Sequence, residues 1–170
     1  MIALHPTFHT SFVAFLKQFN ETFDYFECHE LLEDYWKEVS PRNKHHALTS
    51  LILLATSMYH WRRGNFTGAI KTMESSLKRM EATQDSPFFE NFDYKKLTEN
   101  MEFALELMIN SQKFQGFTIA ITNPTLQSLV NQLPLETNED LHFLIHKHML
   151  RDRSEILEER EREKKKRDDF

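Results

Sequence analysis

The segment ALTSLILLATSMY, residues 47–59, is apolar almost all the way round a helix. A helix without a polar face has to be packed on every side, so it belongs at the centre of a group of other helices. It is too short to span a bilayer, which takes about 20 apolar residues. The chain also holds only 3 glycines and 5 prolines among its 170 residues. Because an all-β fold needs many tight turns, this scarcity favours an all-α protein.

Apolar side chains recur at helical spacing along most of the chain and predict five main helices. Asp24 and Glu27 have the spacing of a capping box at a helix start. Gly64 is placed to end one helix, and Asn65 to cap the next. The five predicted helices run from about Thr7 to Phe19, Tyr25 to Val39, Asn43 to Arg63, Asn65 to Glu81, and Asp93 to the region of Gly116.

The two-residue link Gly64-Asn65 makes its flanking helices an antiparallel hairpin. We therefore expect a compact antiparallel helical bundle with a C-terminal helical extension. Residues 1–116 are expected to form the bundle domain, and residues 117–170 the extension. Within the extension, FTIAITNP is typical of extended chain and PTLQSLVNQL of a short amphipathic helix. A further helix is predicted from Thr137, ending in a charged and solvated tail.

Charge and cysteine content narrow the class of protein. The net charge of −5 gives no general attraction to nucleic acid, so no nucleic-acid partner is expected. The single cysteine, Cys28, cannot form an internal disulfide, and its place in an apolar stripe predicts a reduced thiol in a cytoplasmic protein. The start MIALHPTFHT lacks the basic region and long apolar run of a signal peptide. No association with a membrane is expected.

The stretch ECHELLEDYW, residues 27–36, concentrates side chains that bind ligands. At about 100° per residue the predicted helix separates them into two sides and a border. The apolar side holds Cys28, Leu32, Tyr35, Trp36 and Val39. The opposite side holds Glu27, Glu30, Asp34 and Glu38. His29 and Glu33 fall on the border beside Trp36, where we expect both to be half-buried.

A half-buried histidine and glutamate one turn apart have three interpretations. They can be a structural pair that satisfies its hydrogen bonds at the rim of the core. They can border a pocket for a small molecule or a protein partner, with Trp36 as its floor. They can also hold a metal, because HELLE is similar to the HExxH helix with Glu33 in place of the second histidine and Glu30 as a base.

His60 is the candidate partner from a second helix. It lines up with Thr49, Leu53 and Thr56 on one stripe of the central helix. The alternative is an imidazole that interacts with the last carbonyls of its own helix, as the arginines that follow it do with the helix dipole. No catalytic residue, metal or cofactor is assigned. The candidate binding residues are Glu27, His29, Glu30, Glu33, Trp36 and His60.

The segments YFECHELLEDYWK and SMYHWRRGNFTGAI, taken in order, closely resemble a prokaryotic family called domain of unknown function 309. The family pattern is an F/Y-E-x-H-E-x-L-E-x-x-W helix, then a helix ending in a Y-H pair, then a G-N-x-x-G-A helix start. The matching positions are Phe26, Glu27, His29, Glu30, Leu32, Glu33, Trp36, Tyr59, His60, Gly64, Asn65, Gly68 and Ala69. The resemblance covers about residues 10–85.

The resemblance implies a compact all-helical bacterial protein and carries no assigned activity. The middle helix of that family usually contains Q-G-L-I-Q. This chain has TSLIL at residues 49–53 and so lacks both glutamines. A polar site built on those amides is therefore not expected in this protein.

Two functions remain open. The first is a non-catalytic helical module that binds a protein partner or forms a homodimer. It is favoured because the sequence has no nucleophile with a base, no phosphate-binding loop and no complete set of metal ligands. The alternative is a small-molecule or metal-binding protein, such as a hydrolase, with a site around His29, Glu33 and His60.

Overall fold

The computed structural model describes residues 4–134 and Arg162. These residues contain six α-helices and no strand, apart from one isolated antiparallel bridge between Phe92 and Ile121. The prediction of an all-α protein is confirmed. The helices are α1 Thr10–Lys17, α2 Tyr25–Val39, α3 Ala47–Arg62, α4 Phe66–Ala82, α5 Tyr94–Ile109 and α6 Pro124–Gln132.

The central helix is α3, which contacts both α2 and α4. Helix α1 packs on α2 and α6, and α5 packs on α4, so α3 is covered from both sides by further helices. Its fully buried apolar side chains are Leu48, Leu51, Leu54, Ala55 and Met58. The compact antiparallel bundle inferred from the apolar central segment is therefore present in the structure.

Helices α3 and α4 approach each other through small side chains. Ser57 of α3 donates its hydroxyl to the Ala69 carbonyl at 2.7 Å. Ser76 of α4 donates its hydroxyl to the Ser50 carbonyl at 2.6 Å. All four residues are buried, and the Ser57 and Ser76 hydroxyls each find an acceptor on the backbone of the facing helix. These bonds satisfy polar groups that would otherwise be costly inside the core.

The ends of several helices differ from the sequence prediction. Helix α3 begins at Ala47 instead of Asn43, because His46 caps it by accepting the Leu48 N–H on Nδ1 at 3.0 Å. The first predicted helix is broken into a 3-10 turn, α1 and a π-helical turn at Gln18–Thr22. Phe23 ends that π-helical turn in the left-handed region, with φ of 58°.

Residues after α5 return along the bundle. The side chains of Ile119, Leu126 and Val130 are buried in the same core as the earlier helices. The segment before α6 is extended, as FTIAITNP predicted, and α6 matches the predicted short helix. The division of the chain between residues 116 and 117 stays a prediction. The helix predicted from Thr137 and the charged tail lie outside the described residues.

Among the described residues, none of the helices is both long enough and apolar enough to traverse a bilayer.

Candidate functional site

Helix α2 carries most of the candidate binding residues and is fixed at both ends. At its start, the Asp24 carboxylate accepts the Glu27 N–H at 3.0 Å. This bond is the N-cap that the capping-box spacing predicted. Near its end, the Trp36 indole Nε1–H donates to the Asn43 carbonyl at 3.0 Å and attaches the following loop to the helix. Both ends of α2 are therefore held by side-chain hydrogen bonds to the backbone.

His29 and Glu33 form the pair that their spacing predicted. His29 Nε2 lies 3.3 Å from a Glu33 carboxylate oxygen, and the two side chains are 31% and 32% exposed. His29 Nδ1 also lies 3.6 Å from Glu30, and the second Glu33 oxygen lies 2.9 Å from Lys37 Nζ. Four side chains of α2 thus form one continuous polar chain at the edge of the core.

The remaining acids of α2 are placed differently from one another. Glu27 is half-buried in the first turn, whereas Asp34 is exposed. Glu38 is also exposed and lies 3.3 Å from His9, the N-cap residue of α1. Glu33 and Glu38 of α2 thus each lie 3.3 Å from a histidine, Glu33 from His29 of the same helix and Glu38 from His9 at the start of α1. Trp36, on the same helix, is half-buried.

His60 contacts the start of α4. Its Nδ1 lies 3.3 Å from the Asn65 side-chain amide, and its Cδ2 would lie 3.1 Å from a Cβ placed on Gly68. Ring contacts connect it to α2 through two further aromatic side chains. Tyr59 lies 6.2 Å from His60 and 5.8 Å from Phe26, whose ring lies 6.4 Å from His29.

The geometry tests whether these side chains could hold a metal ion. Within residues 4–134, no three His, Cys, Asp or Glu side chains are grouped so as to bind one. His29 and Glu33 are near each other, and His60 is linked to them by aromatic rings rather than by a shared ligand position. Chemically the arrangement is an ordered surface of charges and aromatic rings.

The structure adds one interaction that the sequence did not indicate. Arg62 Nη1 donates to the Phe23 carbonyl at 2.7 Å, and its guanidinium lies 4.8 Å from the centroid of the Tyr25 ring. Burial lowers the pKa of Arg62 and raises that of the Tyr25 phenol. Arg62 thus joins the end of α3 to the start of α2. Its position at a helix C-terminus gave no signal for this long-range contact.

The model of a protein family described as a domain of unknown function, DUF309, matches residues 12–72. The matched region contains α2, α3 and the start of α4, and so includes every candidate binding residue. A protein of Bacillus subtilis (strain 168) named "Uncharacterized protein YpuF" is 32% identical over 164 residues, which cover 90% of this chain and 92% of that protein. The chain belongs to the DUF309 family.

The resemblance drawn from the α2 and α3 motifs is confirmed by this match. The described residues of this DUF309 protein have the all-helical fold that the resemblance implied. No solved structure matches the chain. Neither the description of the family nor the name of the Bacillus subtilis relative states an activity.

Proposed function

We propose that this DUF309 protein is a non-catalytic interaction module, and that it binds a protein partner through one stripe of α2. The stripe consists of Phe26, His29, Glu33 and Trp36, which recur at helical spacing and are all partly exposed. The observation that carries the proposal is the His29–Glu33 pair itself, held at 3.3 Å between two partly exposed aromatic side chains.

This composition is typical of a binding surface. Energetically dominant interface residues are enriched in aromatic side chains and are surrounded by polar groups. The contacts of Glu33 with His29 and with Lys37 limit the rotamers of these side chains before binding. These side chains therefore lose less conformational entropy when a partner binds than freely rotating side chains would.

The proposal includes the nature of the partner and its location. A net charge of −5 favours a protein over nucleic acid as the partner. A cytoplasmic location is in keeping with the single free and buried thiol of Cys28. A second copy of the same chain is the simplest alternative to a different protein, and the experiment below separates the two.

Charge reversal on α2 tests the proposal with a matched control. Glu33→Arg and Glu38→Arg change the same residue type on the same helix, and each breaks a histidine pair of 3.3 Å. Only Glu33 belongs to the stripe. Tagged full-length protein is expressed in its native host, purified by affinity, and analysed by native mass spectrometry. We expect a stoichiometric partner with wild type and Glu38→Arg, and its loss with Glu33→Arg.

Three outcomes would contradict the proposal. One is a bare monomer with no partner. Another is equal loss of the partner in both variants. The third is a bound metal ion that disappears with Glu33→Arg, which would favour the metal-binding alternative. A homodimer lost only with Glu33→Arg would keep the stripe and identify the partner as a second copy.

A further inference from the structure

A cleft lies at the opposite end of α3 from the contacts of His60. It has a volume of about 350 Å³ and is lined by His45, Ser75, Lys78, Arg79 and Ala82. An adjoining cleft of about 320 Å³ shares two of these residues, His45 and Ala82. This adjoining cleft is formed by the loop before α3 and by the residues that follow α4. The volumes of the two clefts, taken singly or together, are within the range of small-molecule binding sites.

The first cleft is lined by basic and hydroxyl side chains. Lys78 and Arg79 come from α4 and His45 from the loop before α3, and Ser75 adds a hydroxyl. Among the described residues, no acidic side chain lines this cleft. Neither Lys78 nor Arg79 has an ion pair with any described residue. Asp85 lines the adjoining cleft, and Glu74 and Glu81 are the sequence neighbours of the lining residues Ser75 and Ala82.

Stabilisation of the α4 dipole does not account for this arrangement. A cation in the last turn of a helix, such as Arg79, does interact favourably with that dipole. The facing loop, however, is also basic: PRNKHH at residues 41–46 contains two cations and two imidazoles and no acid. From that loop the His45 imidazole lines the first cleft, where it faces Lys78 and Arg79 of α4 in a chain whose net charge is −5.

We propose that this cleft binds the phosphate group of a small phosphate monoester. Arginine binds phosphate through two parallel hydrogen bonds, and lysine adds a point charge. Ser75 provides a hydroxyl donor. Helix α3 begins at Ala47, in the lining of the adjoining cleft, so the positive end of its dipole lies beside the same site.

Two probes test the proposal on the full-length chain, inorganic phosphate and glycerol 3-phosphate. Each is titrated at constant ionic strength against chloride, and binding is followed by amide chemical shifts in ¹H–¹⁵N NMR spectra. We expect saturable shifts at residues 43–47 and 75–83 with both probes. Lys78→Gln combined with Arg79→Gln removes the charged donors and is expected to weaken binding by about tenfold or more.

The control is an adjacent basic pair on another helix. Lys95→Gln combined with Lys96→Gln removes the same charge from the exposed start of α5 and is expected to change the affinity less than about twofold. Absence of saturable shifts, or equal weakening by the two double variants, would overturn the proposal. Glu33→Arg is expected to bind phosphate normally, so the outcome is independent of the proposed partner surface.

Discussion

Asn20 and Ile119 are joined by two reciprocal hydrogen bonds across 99 positions of sequence. The Asn20 side-chain amide donates to the Ile119 carbonyl at 2.9 Å, and the Ile119 N–H donates to Asn20 Oδ1 at 2.8 Å. Ile119 is buried, so its backbone groups have little access to water. Asn20 therefore fixes the extended chain before α6 to the turn after α1.

Replacing Asn20 with alanine leaves both backbone groups of Ile119 without these partners. We expect Asn20→Ala to lower the free energy of unfolding by about 2–3 kcal/mol, because each unsatisfied buried group costs about 1–3 kcal/mol. Urea unfolding followed by circular dichroism measures this loss. The control is Asn131→Ala, which breaks an exposed hydrogen bond to Gln127 on α6 and should cost about 0.5 kcal/mol or less. Equal losses in the two variants would refute the assigned role.

Two tyrosines of α2 differ in their hydroxyl contacts. The Tyr35 hydroxyl donates to the Pro6 carbonyl at 2.8 Å. The Tyr25 hydroxyl is buried and has no hydrogen-bond partner among the described residues. We expect Tyr35→Phe to lower the free energy of unfolding by about 1 kcal/mol. Tyr25→Phe should leave it unchanged or raise it, because an unpaired buried hydroxyl opposes folding. Urea unfolding of both variants distinguishes these effects, and a larger loss with Tyr25→Phe would contradict the prediction.

Much of the fold was predictable because apolar periodicity and capping residues act locally. Asp24 and Pro41 bound α2, which runs from Tyr25 to Val39 as predicted. Helix α5 was predicted to continue toward Gly116, since glycine favours a helix end. It stops at Ile109, where Ser111 adopts the left-handed region with φ of 54°. The Trp61 indole then donates to the Gln112 carbonyl at 3.0 Å, a tertiary contact with no local signal.

The candidate site was predictable only along one helix. Helical geometry placed His29 and Glu33 at the edge of the core, and both are about one-third exposed. The same geometry assigned Val39 to the apolar side, yet it is 47% exposed because it occupies the last turn of α2. Side chains from different helices require knowledge of packing. For that reason the contacts of Arg62 with Phe23 and Tyr25 could not be inferred.

Because of the buried thiol of Cys28, we expect the free energy of unfolding to fall as the pH rises in the alkaline range. Burial raises the pKa of Cys28 well above its ordinary value, with nearby Asp24 and Glu27 adding to the effect. The thiol of the unfolded chain ionises from about pH 8.5, whereas the folded thiol stays protonated at that pH. The contribution of the Cys28 thiol to the free energy of unfolding is therefore complete below about pH 8.5 and is lost as the pH rises. We expect Cys28→Ala to reduce the slope of this loss by up to about 1.4 kcal/mol per pH unit.

Urea unfolding of wild type and Cys28→Ala from pH 7 to pH 10 measures that slope. The variant also loses packing at every pH, so only the difference in slope reports on the thiol. Burial also raises the pKa of Tyr35 and Tyr94, and these phenols steepen the decline above about pH 10 in both proteins. Identical slopes between pH 8.5 and pH 10 would contradict the prediction.

Gly68 leaves room for the Asn65 side chain that caps α4. Its own backbone angles do not require a glycine. A Cβ at this position would lie 2.7 Å from the Asn65 side-chain nitrogen and 3.1 Å from His60 Cδ2. Asn65 Oδ1 accepts the Gly68 N–H at 3.1 Å and so caps the helix. We expect Gly68→Ala to lower the free energy of unfolding by about 1 kcal/mol through loss of this cap, although alanine is the better helix former.

A double-mutant cycle with Asn65→Ala tests this explanation. If Gly68→Ala acts by displacing the Asn65 side chain, the second substitution has no cap left to remove. The double variant should then lose clearly less stability than the sum of the two single variants, with a coupling of about 0.5 kcal/mol or more. Strict additivity in urea unfolding would mean that the alanine methyl group acts on His60 or on the packing of α3 against α4 instead. Gly116→Ala provides the comparison, since its Cβ would meet Tyr25 Oη at an ordinary contact distance of 3.4 Å.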